Sequence, residues 1–301
     1  MKVWRPDSRE TLPMTDPAAA RAAFRRLHES GCFVMPNPWD IGTARYLAAM
    51  GFPALATTSS GFAFTRALPD TDWAVPVEAM LAHIAEIVAA TALPVNADFE
   101  SGYAHDPDGV ARNVAACVAT GVAGLSIEDA TGDPSRPLYD IQEGAERIRA
   151  AKAAIDASGT GVVLTGRAEC YLTGHPEPLP EAIRRLQAYA EAGADVVYAP
   201  GPKRREEIRT LVEALAPVPV NILMSTNPGL KVADLEALGV RRISVGSSLA
   251  RAAWTGFIRA AKRIHDEGSF GGFDGSVSFS EINGFFRQDL KDRELKNRNP
   301  A

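Results

Sequence analysis

The chain has few cysteines, no long apolar run and no excess of positive charge. Its three cysteines, Cys32, Cys117 and Cys170, are an odd number without metal-site spacing, which indicates free thiols in a reducing compartment. No apolar run approaches membrane-spanning length, and the N-terminus lacks the apolar core of a signal peptide. The formal net charge of -5 argues against nucleic acid as a partner. We therefore expect a soluble, cytoplasmic protein that binds neither membranes nor nucleic acids.

What the sequence does contain is a regular alternation of short apolar runs with Ala-rich amphipathic stretches. Eight runs have the character of strands buried on both faces, and they are 32–35, 54–58, 95–98, 125–128, 162–165, 196–198, 220–224 and 242–245. The amphipathic stretches predict helices between them, over 43–50, 77–90, 109–120, 141–157, 179–192, 205–215 and 232–238. Eight strands alternating with helices over about 250 residues predict an α/β fold, a (β/α)8 TIM-type barrel. An open doubly wound sheet is the alternative, but no Gly-rich dinucleotide fingerprint follows a strand.

The predicted barrel extends over 16–266 and is flanked by two further segments. Residues 1–15 are polar and contain proline, which predicts a loose lead-in. After the eighth strand, a long helix is predicted over 249–265, a Gly-rich break over 268–275 and a second, short helix over 279–286. The tail from Lys291 is highly charged and is predicted to be frayed. Residues 267–301 are thus predicted as a C-terminal helical extension.

Acidic residues stand at the ends of two predicted strands. Asp98 and Glu100 end one run, and Glu128 ends the next. Positions two apart face the same side of an extended chain, and neighbouring strands lie about 5 Å apart, so these carboxylates can converge. Three carboxylates so close repel one another unless a cation relieves them. Oxygen ligands without His or Cys favour Mg²⁺ or Mn²⁺ over Zn²⁺. The alternative is that these acids cap helices or pair with arginines.

Two further segments at predicted strand ends could bind a substrate. Arg167 ends the fifth strand, and its planar fork can hold a carboxylate or a phosphonate in a bidentate way. A salt bridge to Glu128 or Glu169 is the alternative interpretation. In Thr57-Thr58-Ser59-Ser60-Gly61, small residues allow close approach of the backbone to an anionic oxygen, although a plain turn with Ser/Thr capping also explains them.

At these residues the chain resembles the isocitrate lyase/phosphoenolpyruvate mutase superfamily. The resemblance runs from Asn37-Pro38-Trp39-Asp40 to about Ala253. No single motif is specific, but together the following are: Thr58-Ser59-Ser60-Gly61, Leu68-Pro69-Asp70, Asp98-Phe99-Glu100-Ser101-Gly102-Tyr103, Ser126-Ile127-Glu128-Asp129 and Gly166-Arg167-Ala168-Glu169.

The resemblance implies a Mg²⁺-dependent α/β barrel that makes or breaks C–C or P–C bonds beside a carboxylate, through an enolate of pyruvate or a relative. It implies a metal shell, partly through waters, of Asp70, Asp98, Glu100 and Glu128. It further implies that Thr58, Ser60 and Gly61 contact the substrate oxyanion and carboxylate and that Arg167 clamps the substrate. Because the family often exchanges its last helix between subunits and forms tetramers, the helix from Phe279 is expected to pack on a neighbour in a homo-oligomer, a tetramer or a dimer.

One departure from the family separates the possible activities. The lyases carry a Lys-Arg-Cys-Gly-His loop after the position of Glu128, whereas this chain has no Cys, Lys or His from Asp129 to Tyr139. An isocitrate or methylisocitrate lyase is therefore not expected, and Tyr103, His105 and Tyr139 are the candidate proton donors.

The expected function is a C–C lyase or decarboxylase of a small 2-oxo or 2-hydroxy acid. The alternatives are a phosphonomutase or phosphonopyruvate hydrolase acting on a P–C bond, for which the predicted mouth loops contain few lysines, and a barrel that binds a 2-oxo acid without turnover.

Overall fold

A computed structural model of the chain describes residues 16–71 and 73–298, with side chains described as far as Leu295. It contains eight strands, all parallel to their neighbours. They are β1 (Phe33–Met35), β2 (Leu55–Ala56), β3 (Val95–Asp98), β4 (Gly124–Glu128), β5 (Val163–Arg167), β6 (Val196–Tyr198), β7 (Val220–Leu223) and β8 (Arg242–Ser244). All eight predicted strands are confirmed, and β5 extends two residues further, to Arg167.

The strands form a nearly closed barrel in the order β1-β8-β7-β6-β5-β4-β3-β2. The Ala56 N–H donates to the Pro36 carbonyl at 3.0 Å, so the chain after β1 also contacts β2. Register places Glu128 beside Arg167 and Asp98 beside Ser126. Since all strands are parallel, their carboxyl ends meet at one end of the barrel, which confirms the predicted (β/α)8 architecture and brings the acidic strand ends together.

Helices connect the strands. They are α1 (Pro17–Leu27), α2 (Ile41–Ala49), α3 (Ser59–Thr65), α4 (Val77–Ala90), α5 (Pro107–Ala119), α6 (Ile141–Ser158), α7 (Pro178–Glu191), α8 (Arg205–Leu215) and α9 (Val232–Ala237). The seven predicted interstrand helices are confirmed, α4 and α8 with the predicted bounds. Asp40 is the N-cap of α2 and accepts from the Thr43 N–H at 2.7 Å. The sequence prediction did not include α1 or α3.

Helix α1 packs at the amino ends of the strands. Asp16 caps it by accepting from the Ala18 N–H, and Pro17 occupies its first position, where the missing N–H has no cost. Its one fully buried residue, Phe24, belongs to a small apolar cluster with Phe33, Val163 and other residues near the strand starts. A second, larger cluster fills the space between strands and helices.

The barrel interior contains a buried polar network around Arg242. Its guanidinium donates to Asn221 Oδ1 at 3.0 Å and to Thr165 Oγ1 at 2.9 Å, and it lies 3.4 Å from His28 Nε2. Side chains from β5, β7 and β8 can meet in this way only inside the barrel. All three partners are neutral groups, and burial lowers the pKa of Arg242 to about 9. Burial together with Arg242 also lowers the pKa of His28 to about 3.

The chain from Ser248 forms a compact unit of its own, separate from the barrel unit of Thr15–Ser247. It contains α10 (Ser248–Glu267), a 3-10 turn (Gly271–Phe273) and α11 (Phe279–Arg298). Residues 248–266, predicted as part of the barrel, therefore group with the C-terminal extension. Helix α11 is longer than the predicted 279–286, and the tail predicted to be frayed from Lys291 is helical to Arg298. The predicted lead-in, 1–15, lies outside the described residues.

A search of the described helices for a membrane span, by length and by apolar character, finds no candidate.

Candidate active site

The end of β3 holds its two carboxylates in a strained but well-bonded turn. Asp98 Oδ2 accepts from the Ser59 N–H at 2.9 Å, and the Asp98 N–H donates to Thr57 Oγ1 at 2.9 Å. Glu100 Oε1 accepts from the Tyr103 hydroxyl at 2.6 Å. Among the described residues, four non-glycine residues have left-handed φ angles, and Trp73, Glu100 and Tyr103 are three of them. Such conformations persist where the surrounding contacts enforce them, and they are concentrated at functional sites.

Arg167 lies among three carboxylates. Its Nη1 is 3.2 Å from Asp98 Oδ1 and 3.0 Å from Glu128 Oε2, and its Nε donates to Glu169. Its guanidinium also lies over the Tyr198 ring, 5.2 Å from the ring centre. Although burial opposes its charge, Glu128, Glu169 and Asp98 raise the pKa of Arg167 well above its usual range. Arg167 thus forms the salt bridges that were the alternative interpretation from the sequence, and Nη2 takes part in none of them.

Negative charge at the site exceeds what Arg167 can neutralise. Burial raises the pKa of Glu100 to about 7, and repulsion from Asp98 and Asp70 adds to the effect. Burial and repulsion from Glu169 raise the pKa of Glu128 well above its usual range, in spite of Arg167. Asp70 is exposed at the rim, yet partial desolvation and repulsion from Asp98 raise its pKa as well. Each carboxylate would therefore be stabilised by an additional cation.

The donor chemistry fits a hard divalent cation that keeps part of its water shell. The four predicted ligands offer only carboxylate oxygens, which Mg²⁺ and Mn²⁺ prefer. Within 16–71 and 73–298, however, no group of three or more His, Cys, Asp or Glu side chains is arranged to hold one metal ion. Magnesium commonly binds through one or two carboxylates with waters and substrate oxygens. Such a site does not need three protein ligands around the ion.

A cavity of about 600 Å³ lies at the carboxyl ends of the strands. Five of the predicted site residues line it, namely Asp70, Glu100, His105, Glu128 and Arg167. The other lining residues are Ser59, Thr71, Trp73, Ser101, Ala130, Thr131, Gly132, Asp133, Glu169 and Leu172. Asp98 contacts the lining through Ser59 and Arg167. The volume suits a small organic acid.

Thr58, Ser60 and Gly61 belong to the start of α3 rather than to a free loop. The Thr58 hydroxyl caps the helix by accepting from the Gly61 N–H at 3.2 Å, so this N–H already has a partner. A Cβ at position 61 would lie 2.5 Å from a Thr58 methyl, so packing requires the glycine. Ser60 Oγ is 3.3 Å from Thr58 Oγ1 and also bonds to Asp70. Within this segment, the backbone N–H of Ser59 is a donor to an acid of the site, Asp98.

The segment after Glu128 forms a closed loop that is held by hydrogen bonds of the buried Asp129 carboxylate. Ala130 pairs with Leu138 in an isolated bridge, and the Tyr139 N–H donates to the Asp129 carbonyl at 3.0 Å. The buried Asp129 carboxylate accepts from Tyr189, from Arg185 and from the Glu169 N–H, at 2.6 to 3.1 Å. These bonds fix Glu169 next to Arg167. Among the polar side chains of this loop, Thr131 lines the cavity. Ser135 and Arg136 are exposed and bond to residues within or next to the loop.

Four side chains form a cluster on one wall of the cavity. His105 Nδ1 is 2.7 Å from the Tyr139 hydroxyl, and the His105 ring centre is 4.8 Å from that of Trp73. The Arg147 guanidinium lies 4.0 Å from the Tyr139 ring centre and donates to the carbonyls of His105 and Ser101. Trp73, which lines the cavity, and Arg147, which contacts Tyr139 without lining it, were not predicted as site residues, because only tertiary contacts bring them to this cluster.

The family model of phosphoenolpyruvate phosphomutase matches residues 24–265. An oxaloacetate decarboxylase of Pseudomonas entomophila is 31% identical over 250 residues, which cover 80% of this chain and 83% of that protein. A 2,3-dimethylmalate lyase of Eubacterium barkeri is 29% identical over 265 residues, or 83% of this chain and 88% of that protein. A Burkholderia cenocepacia crystal structure, described only as a lyase/mutase, is 46% identical, covers 90% of this chain and 96% of that chain, and superposes with a TM-score of 0.85.

Proposed function

Because the chain belongs to the phosphoenolpyruvate phosphomutase family, we propose that it cleaves a C–C bond of a small 2-oxo or 2-hydroxy carboxylic acid, as a lyase or decarboxylase. The observation that carries this proposal is Arg167, which faces a cavity at the strand ends beside carboxylates with uncompensated charge. A guanidinium next to a cation site can bind an acid with two anionic groups. The oxaloacetate decarboxylase and the 2,3-dimethylmalate lyase are named for such acids.

In this proposal Arg167 binds a substrate carboxylate. Its Nη1 and Nε contact Asp98, Glu128 and Glu169, which fixes the plane of the guanidinium. Nη2 is not used by these contacts and can donate to the acid. Since the orientation is set before binding, little side-chain entropy is lost when the substrate arrives. Ser59, His105 and Trp73 provide the polar and aromatic walls of the same cavity.

Asp98, Asp70, Glu100 and Glu128 would hold the divalent cation, Mg²⁺ with Mn²⁺ as a substitute. When bound, the cation supplies a Lewis acid that polarises the substrate oxygens and stabilises an enolate. The chain's own part is to orient Asp98, whose carboxylate accepts from the Ser59 N–H and whose backbone N–H donates to the Thr57 hydroxyl. The loop from Ala130 to Leu138 covers one side of the cavity and limits the access of water.

The proposal includes a cytoplasmic homo-oligomer, a dimer or a tetramer. The three free cysteines support the reducing compartment. Large apolar side chains stand exposed on the C-terminal unit, among them Phe257 and Phe279, which are 62% and 82% exposed. Such surfaces are commonly buried between subunits, and α11 could be exchanged there. Light scattering of the full chain measures the oligomeric state, and a monomer would contradict this part.

The test is a Mg²⁺-dependent assay of C–C cleavage. Oxaloacetate, 2-alkylmalates and phosphonopyruvate are offered to the purified protein, and the products are identified by NMR. We expect one carboxylic acid to be cleaved, and activity to be lost with EDTA and restored by Mg²⁺ or Mn²⁺. Asp98→Asn should lower kcat/KM by about 10³-fold, because it removes a cation ligand without changing shape. Asp108→Asn, at an exposed position on α5, is the matched control.

Other outcomes decide against the proposal. Phosphate released from phosphonopyruvate would assign the site to P–C chemistry. Metal-dependent binding of a 2-oxo acid without any turnover would indicate a non-catalytic barrel. Equal loss of activity in Asp98→Asn and Asp108→Asn would show that the carboxylate at the end of β3 has no specific role in the reaction.

A further inference from the structure

One wall of the cavity contains a hydrogen-bonded pair that the proposed function leaves unused. His105 lines the cavity and is exposed to it, whereas Tyr139 is buried behind it, 6% exposed. Their contact, Nδ1 to hydroxyl at 2.7 Å, joins one ring nitrogen of His105 to a buried acidic group. Nε2 has no partner among the described residues and remains for a ligand.

We propose that His105 and Tyr139 form the proton relay that protonates the enolate left by C–C cleavage and so gives the released acid. This inference rests on the proposed function and names the group that completes its reaction. His105 is the catalytic residue, since it borders the cavity. Tyr139 acts through His105 and is a positioning residue that also supplies the second proton.

The protons balance along the pair. After the C–C bond breaks, its electrons remain on the substrate as an enolate. The His105 Nε2–H gives its proton to the enolate carbon, and a C–H bond forms. His105 Nδ1 takes the Tyr139 hydroxyl proton, which leaves a neutral imidazole and a phenolate. Water returns a proton to the pair after product leaves.

Burial raises the pKa of the Tyr139 hydroxyl, and two guanidiniums beside the ring oppose this effect and favour the transient phenolate. The Arg147 guanidinium lies 4.0 Å from the ring centre, and that of Arg136 lies 6.0 Å away. Arg147 is 2% exposed, and its Nε–H has no hydrogen-bond partner among the described residues. A buried cation with a spare donor beside the ring stabilises negative charge as it develops. Arg147 also fixes the His105 backbone through the His105 carbonyl.

Tyr103, the other tyrosine predicted as a proton donor, is less suited. Its hydroxyl already donates to Glu100 Oε1 at 2.6 Å. A phenolate there would face Glu100, Asp98 and Glu128, and no guanidinium stacks on its ring among the described cation contacts. Burial and these acids raise the pKa of Tyr103 far above its usual range.

The experiment follows the stereochemistry of protonation. The acid identified in the cleavage assay is used in a form with one methyl group on the carbon that becomes the enolate carbon, and the reaction is run in D₂O. The wild-type protein should give a product with a single configuration at the C–D carbon. Tyr139→Phe and His105→Asn should still cleave the C–C bond but release free enol, observed as a transient absorbance, and then a mixture of configurations. Their rate of ketone formation should fall by about 10²-fold or more.

Tyr171→Phe is the matched control, because its hydroxyl is buried without a partner among the described residues and does not line the cavity. It should behave like the wild type. A single configuration retained in both Tyr139→Phe and His105→Asn would overturn the relay while leaving the proposed function intact, and so would a mixture from the wild type. No C–C cleavage by the wild type would overturn the proposed function and the relay with it.

Discussion

Two polar regions of the barrel, the strand ends around Arg167 and the interior around Arg242, differ in the charge of the groups that contact the arginine. At the strand ends, Arg167 contacts three carboxylates, and further acids nearby remain uncompensated. Around Arg242, a buried guanidinium is held only by the neutral groups of Asn221, Thr165 and His28. The acids around Arg167 line a cavity, so a ligand can neutralise their charge, whereas the Arg242 guanidinium does not line that cavity and its contacts are hydrogen bonds to buried neutral groups. Uncompensated charge that borders a cavity therefore distinguishes the site from the structural network better than burial does.

The largest expected effect comes from Arg167→Met. It leaves Asp98, Glu128 and Glu169 without their common cation and removes the substrate donor. We expect kcat/KM to fall by about 10³-fold and the unfolding free energy to fall by about 3 kcal/mol, as when one partner of a buried pair is removed. Enzyme assay and urea unfolding measure the two effects. Activity within tenfold of wild type would remove Arg167 from the reaction.

The same substitution in the interior, Arg242→Met, is the matched comparison. No carboxylate loses a partner, so only hydrogen bonds to Asn221 and Thr165 are lost, while the desolvation of a charge is relieved. We expect the unfolding free energy to fall by no more than about 2 kcal/mol and kcat/KM to stay within about threefold. A selective loss of activity at unchanged stability would break the comparison, because it would show that the interior charge acts on the site.

The interior also predicts a pH dependence through His28. Its pKa in the folded protein is about 3, below the ordinary value of 6.5, so the unfolded chain takes up the proton first as the pH falls. Stability contributed by the neutral ring is therefore complete above about pH 6.5 and is lost progressively toward pH 3. Between pH 7 and pH 5 the loss from this residue is about 2 kcal/mol.

Urea unfolding of His28→Gln at the two pH values measures this contribution. The variant should lose about 2 kcal/mol less than the wild type between pH 7 and pH 5. His83→Gln is an independent comparison at an unrelated position. Because burial lowers the pKa of His83 to about 4, this variant should change the pH dependence of the unfolding free energy by a similar amount. An unchanged pH dependence in His28→Gln would mean that His28 is protonated in the folded protein.

The smallest effect is expected for Tyr103→Phe. The hydroxyl supports Glu100 by one hydrogen bond, and its loss should raise the pKa of that carboxyl further and weaken cation binding. We expect the Mg²⁺ concentration for half activity to rise by about five- to tenfold, or about 1 kcal/mol, with kcat nearly unchanged. Titration of activity with Mg²⁺ checks this. A fall in kcat with no change in Mg²⁺ dependence would instead place Tyr103 in the chemistry.

Much of this fold follows from local pattern, and the exceptions have physical causes. The strands were predictable because each is a short run of mainly apolar residues between amphipathic stretches. Helix α1 is rich in Ala and Arg and has a single fully buried residue, Phe24, so few large apolar side chains mark its buried face. Helix α3 begins with Ser59-Ser60-Gly61, residues with poor helix propensity, and depends on the Thr58 cap and on packing of Gly61.

From the strand pattern alone, the site was predictable only where its residues stand at strand ends. Asp98, Glu128 and Arg167 follow from the strand pattern, because parallel strands bring their carboxyl ends together. Trp73 and Arg147 lie outside any motif, on a loop and within a helix, and no spacing rule relates them to His105. The sequence left Ser/Thr capping open as an alternative, and that Thr58 caps the Gly61 N–H depends on the Thr58 rotamer.

The left-handed backbone conformation of Glu100 and Tyr103 has a consequence for any attempt to increase the stability of this chain. Residues with a Cβ cost about 1 kcal/mol or more in this conformation, whereas glycine adopts it freely. A screen for heat resistance alone would therefore favour glycine or asparagine at position 100, and the carboxylate would be lost. At this turn, a substitution that increases stability would remove the carboxylate that activity needs. The strained conformation of Glu100 therefore indicates a functional role for its carboxylate.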